Sequence, residues 1–311
     1  MSANSSAAPS SQRAMRHGQV EPGEEALVVM TALWRAGHRL RLRIVSTASV
    51  AVAQFGPVAD RDANLAAMRS LALHAVEQGA GLVVFPEYSS YFTPKLGSDW
   101  VAAAEPLDGP FVEGLRDLAS ETGAIIVAGL VETATVPDKF RNTIVAVAPN
   151  GTLLSVSRKL HLYDAFGAKE SEWAEPGAIE PPQLFDAVGL RVGIQTCYDL
   201  RFPEVTRRLV DAGAELVLVP SEWVAGPGKV HAWTTLVTAR AIENTVYLAA
   251  ADHIPPVGVG YSMVVDARGE VLASIETATD AVVAPVSRDH LDEVRRINPA
   301  LQLRRFGVVP L

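Results

Sequence analysis

One cysteine, one glutamate and one lysine stand where side chains of these types can attack, deprotonate and polarise a carbonyl. Cys197 is the only cysteine of the chain and lies in R-V-G-I-Q-T-C-Y-D-L-R-F-P-E, residues 191–204. The apolar run Leu190 to Ile194 has the length and β-branched content of a buried strand. Pro203 suits the first turn of a helix, and Glu204 behind it suits the positive end of the helix dipole. The spacing therefore puts Cys197 at a strand-to-helix turn. Backbone N–H groups face a ligand at such a turn, and a thiol there tends toward thiolate. A lone cysteine among apolar neighbours is a small buried hydrophobe; the polar cluster of Cys197, Asp199 and Arg201 points instead to a nucleophile.

Glu87 closes another apolar run, Leu82 to Phe85, which reads as a strand buried on both faces. A carboxylate at the end of a core strand is costly unless it is paired or used. Tyr88, Tyr91 and Phe92 continue the stretch and suggest a pocket wall. Lys159 follows a hairpin whose strands, Thr143 to Ala148 and Thr152 to Ser157, flank Pro-Asn-Gly, a strong turn sequence. A polar loop with Tyr163, Asp164, Glu170 and Glu172 comes next. Lysines and glutamates usually face water, so each of these residues alone says little.

The elements that must position these groups alternate. Ser49 to Phe55 reads as a strand and Asp62 to Gln78 as an amphipathic helix. Gly109 to Thr122 reads as a helix leading into the strand Ala124 to Val131. Beyond the cysteine come a helix at Val205 to Ala212, a strand at Leu216 to Val219, a helix at His231 to Glu243 and a strand at Thr245 to Ala251. Tyr261 to Val265 and Glu270 to Ile275 form a further hairpin. Strands separated by helices, with several hairpins, predict an α/β protein of two sheets packed face to face and covered by helices. Residues 1–40 read as an N-terminal extension, flexible or partly helical over Glu24 to Trp34, with transit-like processing as a lesser alternative and Met30 as a possible true start. Residues 41–311 read as one domain, with a C-terminal tail from about 286.

A chain of 311 residues, half of them apolar, can bury a large core without staples. One cysteine excludes an internal disulfide or a CxxC pair and suits a reducing cytoplasm. The formal charge of −8 argues against nucleic acid or an anionic membrane as partner. No apolar run reaches the roughly 20 residues of a spanning helix. Gly226-Pro227-Gly228-Lys229 lacks the remaining residues of a phosphate loop, Gly258-Val259-Gly260 lacks the third glycine of a dinucleotide fingerprint, and Gly260-Tyr261-Ser262 lacks the flanks of a serine elbow. The seven histidines show no metal-ligand spacing, so no metal is inferred.

Three segments, V-V-F-P-E-Y (83–88), R-K-L-H-L-Y-D (158–164) and C-Y-D-L-R-F-P-E (197–204), stand in an order and spacing that resembles the nitrilase or carbon-nitrogen hydrolase superfamily. G-P-G-K-V-H-A-W (226–233), A-R-A-I-E-N (239–244) and G-Y-S-M-V-V-D (260–266) extend the likeness over about residues 48–285. The resemblance implies a four-layer α-β-β-α sandwich, a homodimer or larger assembly, no cofactor, and a catalytic set of Glu87, Lys159 and Cys197. It also implies a second glutamate, for which Glu170 matches better than Glu172. In that chemistry Glu87 is the base, Lys159 and the Tyr198 backbone N–H meet the oxyanion, and Glu170 holds Lys159.

Arg201, Tyr88 and Tyr163 are the candidate substrate-binding residues. Arg201 suits a substrate carboxylate, with a structural pair to Asp199 or Glu204 as the alternative. C-Y-D-x-R-F-P-E is most similar to family amidases acting on ω-amides of 2-oxo acids and on deaminated glutathione. True nitrilases usually carry Trp-Glu after the cysteine, which this chain lacks. The sequence thus implies hydrolysis of a small carboxylate-bearing ω-amide by water. N-carbamoyl amino acid or nitrile hydrolysis, a cysteine-histidine hydrolase using His161, and a catalytically silent assembly subunit are the alternatives.

Overall fold

The structure, a computed structural model, describes residues 48–310. The readings of residues 1–40, including the stretch Glu24 to Trp34, lie outside the described residues. In chain order the strands and helices are β1 (Ala48–Gln54), α1 (Arg61–Glu77), β2 (Leu82–Val84), α2 (Ser98–Ala102), α3 (Pro110–Thr122), β3 (Ile125–Thr133), β4 (Phe140–Val147) and β5 (Leu153–Arg158). There follow β6 (Phe185–Ala187), β7 (Leu190–Ile194), α4 (Pro203–Asp211), β8 (Leu216–Pro220), α5 (Lys229–Asn244), β9 (Tyr247–Ala251), β10 (Met263–Val265), β11 (Val271–Ser274), β12 (Asp280–Val286) and α6 (Arg288–Ile297).

Two six-stranded sheets result, in the orders β12-β1-β2-β3-β4-β5 and β11-β10-β9-β8-β7-β6. Each has a parallel trio inside, β1-β2-β3 and β7-β8-β9, with antiparallel strands outside it. The alternation of side chains explains the layering. In β1, Val50 and Val52 join Leu82 and Val84 against Val192, Ile194, Leu216 and Leu218 of the other sheet. Ala51 and Ala53 point the opposite way, onto Met68 and Leu71 of α1 and Phe111 and Leu115 of α3. On the far side Val217, Val219, Leu248 and Ala250 pack against Leu209 of α4 and Trp233 and Val237 of α5. Both faces of each sheet are therefore buried, which is why these strands read as continuous apolar runs. The layers are α-β-β-α, as the resemblance implied.

Element boundaries follow local chemistry. Asp60 caps α1 by accepting from the N–H groups of Asp62 and Ala63. Pro110 and Pro203 open α3 and α4 at positions where no N–H is needed. Residues from about 286, read as a tail, contain α6, which buries Leu291 and Val294 in the inter-sheet core. The preceding strand β12 pairs with the whole of β1 and closes the first sheet. β12 does not alternate cleanly, but α6 carried a local signal in its Ser287 cap and its Leu291 and Val294 stripe.

Candidate active site

Loops at the carboxyl ends of the parallel trios meet across the two sheets, the usual place for a ligand in α/β architecture. β2 delivers Glu87, β7 delivers Cys197, β8 delivers Glu222, and β9 delivers Asp252 and His253. Lys159 comes from the end of the β4-β5 hairpin, where its N–H donates to the Asn142 carbonyl. Glu87, Lys159 and Glu170 expose 1 %, 3 % and 2 % of their surface.

The Lys159 ammonium lies 3.0 Å from Glu87 Oε1 and 2.8 Å from Glu170 Oε2. Burial pushes the lysine pKa down, but Glu170 and Glu87 outweigh it and hold the ammonium well above its ordinary range. Asn142 Nδ2 donates to both carboxylates, at 2.6 Å to Glu87 and 3.0 Å to Glu170. Glu170 also accepts from the Tyr88 hydroxyl and from the Tyr163 N–H, both at 2.6 Å. For Glu170, burial raises the pKa, yet Lys159 and these hydrogen bonds carry it below the usual carboxylate value. For Glu87, burial and Glu170 win over Lys159 and the carboxyl group is raised. The two glutamates thus differ: one a fixed anion, the other able to exchange a proton.

Cys197 opens a short 3-10 helix, Cys197–Arg201, with φ 42°. This left-handed backbone is uncommon outside glycine and costs of order 1 kcal/mol or more. The thiol is 5 % exposed and donates to the Glu222 carbonyl at 3.4 Å. Burial first, then the neighbouring Glu87, raises its pKa well above the ordinary value. The expectation that the turn favours thiolate is thereby corrected. A single short 3-10 turn cannot outweigh desolvation and nearby carboxylates, so the thiol keeps its proton until a base takes it. The Tyr198 N–H has no acceptor among the described residues, as befits the start of a helical turn.

The loop carrying Glu87 depends on Gly129 of β3. A Cβ there would stand 2.2 Å from the Tyr88 nitrogen and 2.6 Å from the Glu87 carbonyl carbon. His253, fully buried, donates from Nε2 to the Glu87 carbonyl at 2.7 Å. Burial lowers its pKa to about 4, which keeps the ring neutral.

Other sequence candidates separate. Tyr88 was read as a substrate contact, but its hydroxyl is taken by Glu170 and its ring packs on Trp100 at 4.8 Å, so it buttresses Glu170. Tyr91 and Phe92 pack on the same tryptophan. Glu172 is exposed, which separates it from Glu170. Tyr163 is half-buried beside Tyr198, and its hydroxyl accepts from Lys229 at 2.9 Å. Arg201 pairs with neither Asp199 nor Glu204: its guanidinium lies 4.8 Å from the Trp223 ring centre and 5.7 Å from that of Phe166, and its buried Nε has no partner among the described residues. Asp199 is committed to His161, whose Nδ1 lies 2.8 Å away and whose ring stacks on Phe202. Asn142, Glu222, Lys229 and His253 were not anticipated. A signal for Glu222 existed, since V-P-S-E ends one strand much as V-F-P-E ends another.

The sandwich thus brings one cysteine, one lysine and two glutamates together at its strand ends. The chain belongs to the carbon-nitrogen hydrolase family, whose model matches residues 49–296. It is 33 % identical over 258 residues to the deaminated glutathione amidase of Escherichia coli O157:H7, spanning 83 % of this chain and 97 % of that one. It is 32 % identical over 272 residues to the omega-amidase of Bos taurus, covering 84 % and 96 %. Among solved structures the NitFhit protein of C. elegans superposes with a TM-score of 0.73 at 30 % identity, covering 83 % of this chain and 65 % of that longer one. Among the described residues no helix is long and apolar enough to cross a membrane.

Proposed function

We propose that this protein hydrolyses a small carboxylate-bearing ω-amide through a thioester on Cys197. The observation that carries the reading is the placing of Glu87. Its Oε1 lies 3.0 Å from the Lys159 ammonium and its Oε2 accepts from the Glu222 N–H at 2.6 Å, while the Glu222 carbonyl holds the thiol. A raised carboxyl pKa beside a protonated thiol suits a base that must take a proton and return it.

As Sγ attacks the amide carbon, Glu87 takes the thiol proton and the carbonyl oxygen gains negative charge. Lys159 and the Tyr198 N–H meet that charge; one such donor is worth about 2.7–4 kcal/mol. The C–N bond breaks as nitrogen takes the proton from Glu87 and leaves as ammonia. Water then attacks the thioester and gives a proton to Glu87. The C–S bond breaks, the acid departs and the proton returns to sulfur. A thiol used in this way must stay reduced, which suits the cytoplasm.

The substrate carboxylate falls to Arg201, a guanidinium set between two rings with no protein anion. The relatives' names, an omega-amidase and a deaminated glutathione amidase, agree with an acid-bearing amide. The test is ammonia release by purified protein from ω-amides, nitriles and N-carbamoyl acids. The ω-amides are expected to be turned over fastest, with an acyl adduct of matching mass on Cys197 when hydrolysis is slowed. Release only from nitriles or N-carbamoyl acids would reject the ω-amide.

A further inference from the structure

Two cations and one carboxyl group near the thiol have no charged partner among the described residues. The Lys229 ammonium lies 3.9 Å from the centre of the Phe166 ring, and its one hydrogen bond is to the Tyr163 hydroxyl. The Arg201 guanidinium lies 5.7 Å from the centre of the same ring and 4.8 Å from that of Trp223. Neither has an ion pair among the described residues. Burial and the neighbouring Arg201 hold the Lys229 pKa below its ordinary value, so the two cations are brought together at a cost that a bound anion removes.

Glu222 is fixed nearer the thiol. Its N–H is held by Glu87 and its carbonyl by Cys197, yet its half-buried carboxyl group makes no hydrogen bond or ion pair among the described residues. Glu222 and Lys229 lie on one connection, between β8 and the first residue of α5. An ion pair between them would cancel both charges, but the loop keeps them apart. Trp223 fixes this connection, through its N–H to Asp252 at 2.7 Å and through Nε1 to the Lys229 carbonyl at 3.1 Å. Burial, with the neighbouring Glu87 and Asp252, raises the Glu222 carboxyl well above its ordinary range, so it lacks the cation that would favour its charged form. An unpaired carboxyl group beside the thiol and two unpaired cations about one phenylalanine ring are together complementary to a ligand that carries both signs.

We propose that Glu222 and Lys229 determine specificity for the ω-amide of an α-amino acid: carboxylate on Arg201 and Lys229, amino group on Glu222, side-chain amide on Cys197. The inference rests on the amidase reading above and narrows it. An acid without the amino group leaves Glu222 unmet, and a dicarboxylate sets a second negative charge against it.

The test compares kcat/KM of the full chain for three ω-amides of equal length, bearing a 2-amino group, a 2-oxo group or no 2-substituent. The 2-amino compound is expected first. Glu222→Gln should lower its advantage over the unsubstituted amide about tenfold, the effect of one charge-assisted hydrogen bond, and Glu222→Asp should restore part of it. Lys229→Met should raise KM for all three more than it lowers kcat. A preference for the 2-oxo or unsubstituted amide, or a ratio that survives Glu222→Gln, overturns the proposal. Titration calorimetry on Cys197→Ala separates this failure from that of the amidase reading. If no amide is turned over but the 2-amino compound binds about tenfold more tightly, the amidase reading fails and the pocket stands; equal binding overturns the pocket.

Discussion

The Lys159 ammonium and the Glu170 carboxylate face each other at 2.8 Å with 3 % of each side chain exposed. Glu87 shares the same ammonium at 3.0 Å, so Lys159 is held between two anions and cannot drift toward either.

Glu170→Gln removes one of those anions and leaves the lysine with Glu87 alone. Breaking a buried pair costs about 3–5 kcal/mol when no partner remains, and the surviving Glu87 puts the expected loss below that. Tighter pairing of Lys159 with Glu87 should lower kcat about tenfold or more with little change in KM. Glu172→Gln, at an exposed position, should alter neither stability nor rate. Equal behaviour of the two variants in urea unfolding and steady-state kinetics would remove Glu170 from its positioning role.

Lys159→Ala should be far more damaging to kcat than His161→Ala. The imidazole is engaged by Asp199 and stacked on Phe202, whereas the ammonium lies against the carboxylate proposed as base. Cys197→Ala should abolish turnover and leave the circular dichroism spectrum unchanged. If His161→Ala proved as severe as Lys159→Ala, a cysteine-histidine mechanism would be favoured.

Arg201→Lys keeps a positive charge but loses the planar fork. A charge-assisted hydrogen bond is worth roughly 1.5–3 kcal/mol, so acid-bearing amides should lose about tenfold or more in kcat/KM relative to neutral amides of the same size. An unchanged ratio would show that the guanidinium serves the fold.

Gly129→Ala places a methyl group against backbone atoms of Glu87 and Tyr88, which cannot swing aside as a side chain can. Overpacking of this kind costs about 1–3 kcal/mol, and the displaced Glu87 should cut kcat by more than that stability loss accounts for at saturating folded protein. A fully active, merely less stable variant would count against the need for this close approach.

Stability should fall as the pH drops from about 6.5 to about 4. His253 is neutral in the fold because its folded pKa lies below the unfolded value; its contribution is complete above about 6.5 and is lost progressively down to the folded pKa. The full effect is about 3 kcal/mol. Denaturant titrations of wild type and His253→Gln over this range should show a shallower slope in the variant. Parallel slopes would assign the acid lability to other groups.

Much of the fold was legible because strands buried on both faces are unbroken apolar runs and helices show one apolar stripe. Leu82 to Phe85, Leu190 to Ile194 and Leu216 to Val219 were each placed within a residue or two. The types at their ends, Glu87 after Pro86 and Cys197 before a helix-starting Pro203, already suggested a chemical site. β12 was missed because its burial depends on pairing with β1, whereas α6 carried a readable signal, a Ser287 cap followed by Leu291 and Val294 three residues apart on an otherwise charged helix. The sequence by itself determined the strand ends, the candidate nucleophile and the family resemblance, all of which depend on local order along the chain. Protonation and pairing were decided by the tertiary structure alone. The strand-to-helix turn argued for a thiolate, and only desolvation among carboxylates from other strands reverses it. Whether Arg201 pairs with Asp199 depended on His161, from a distant hairpin, having taken that carboxylate. Glu222 and Lys229, at the two ends of a connection of ordinary composition, acquire meaning only when the fold sets them, without charged partners among the described residues, against Cys197 and beside Arg201.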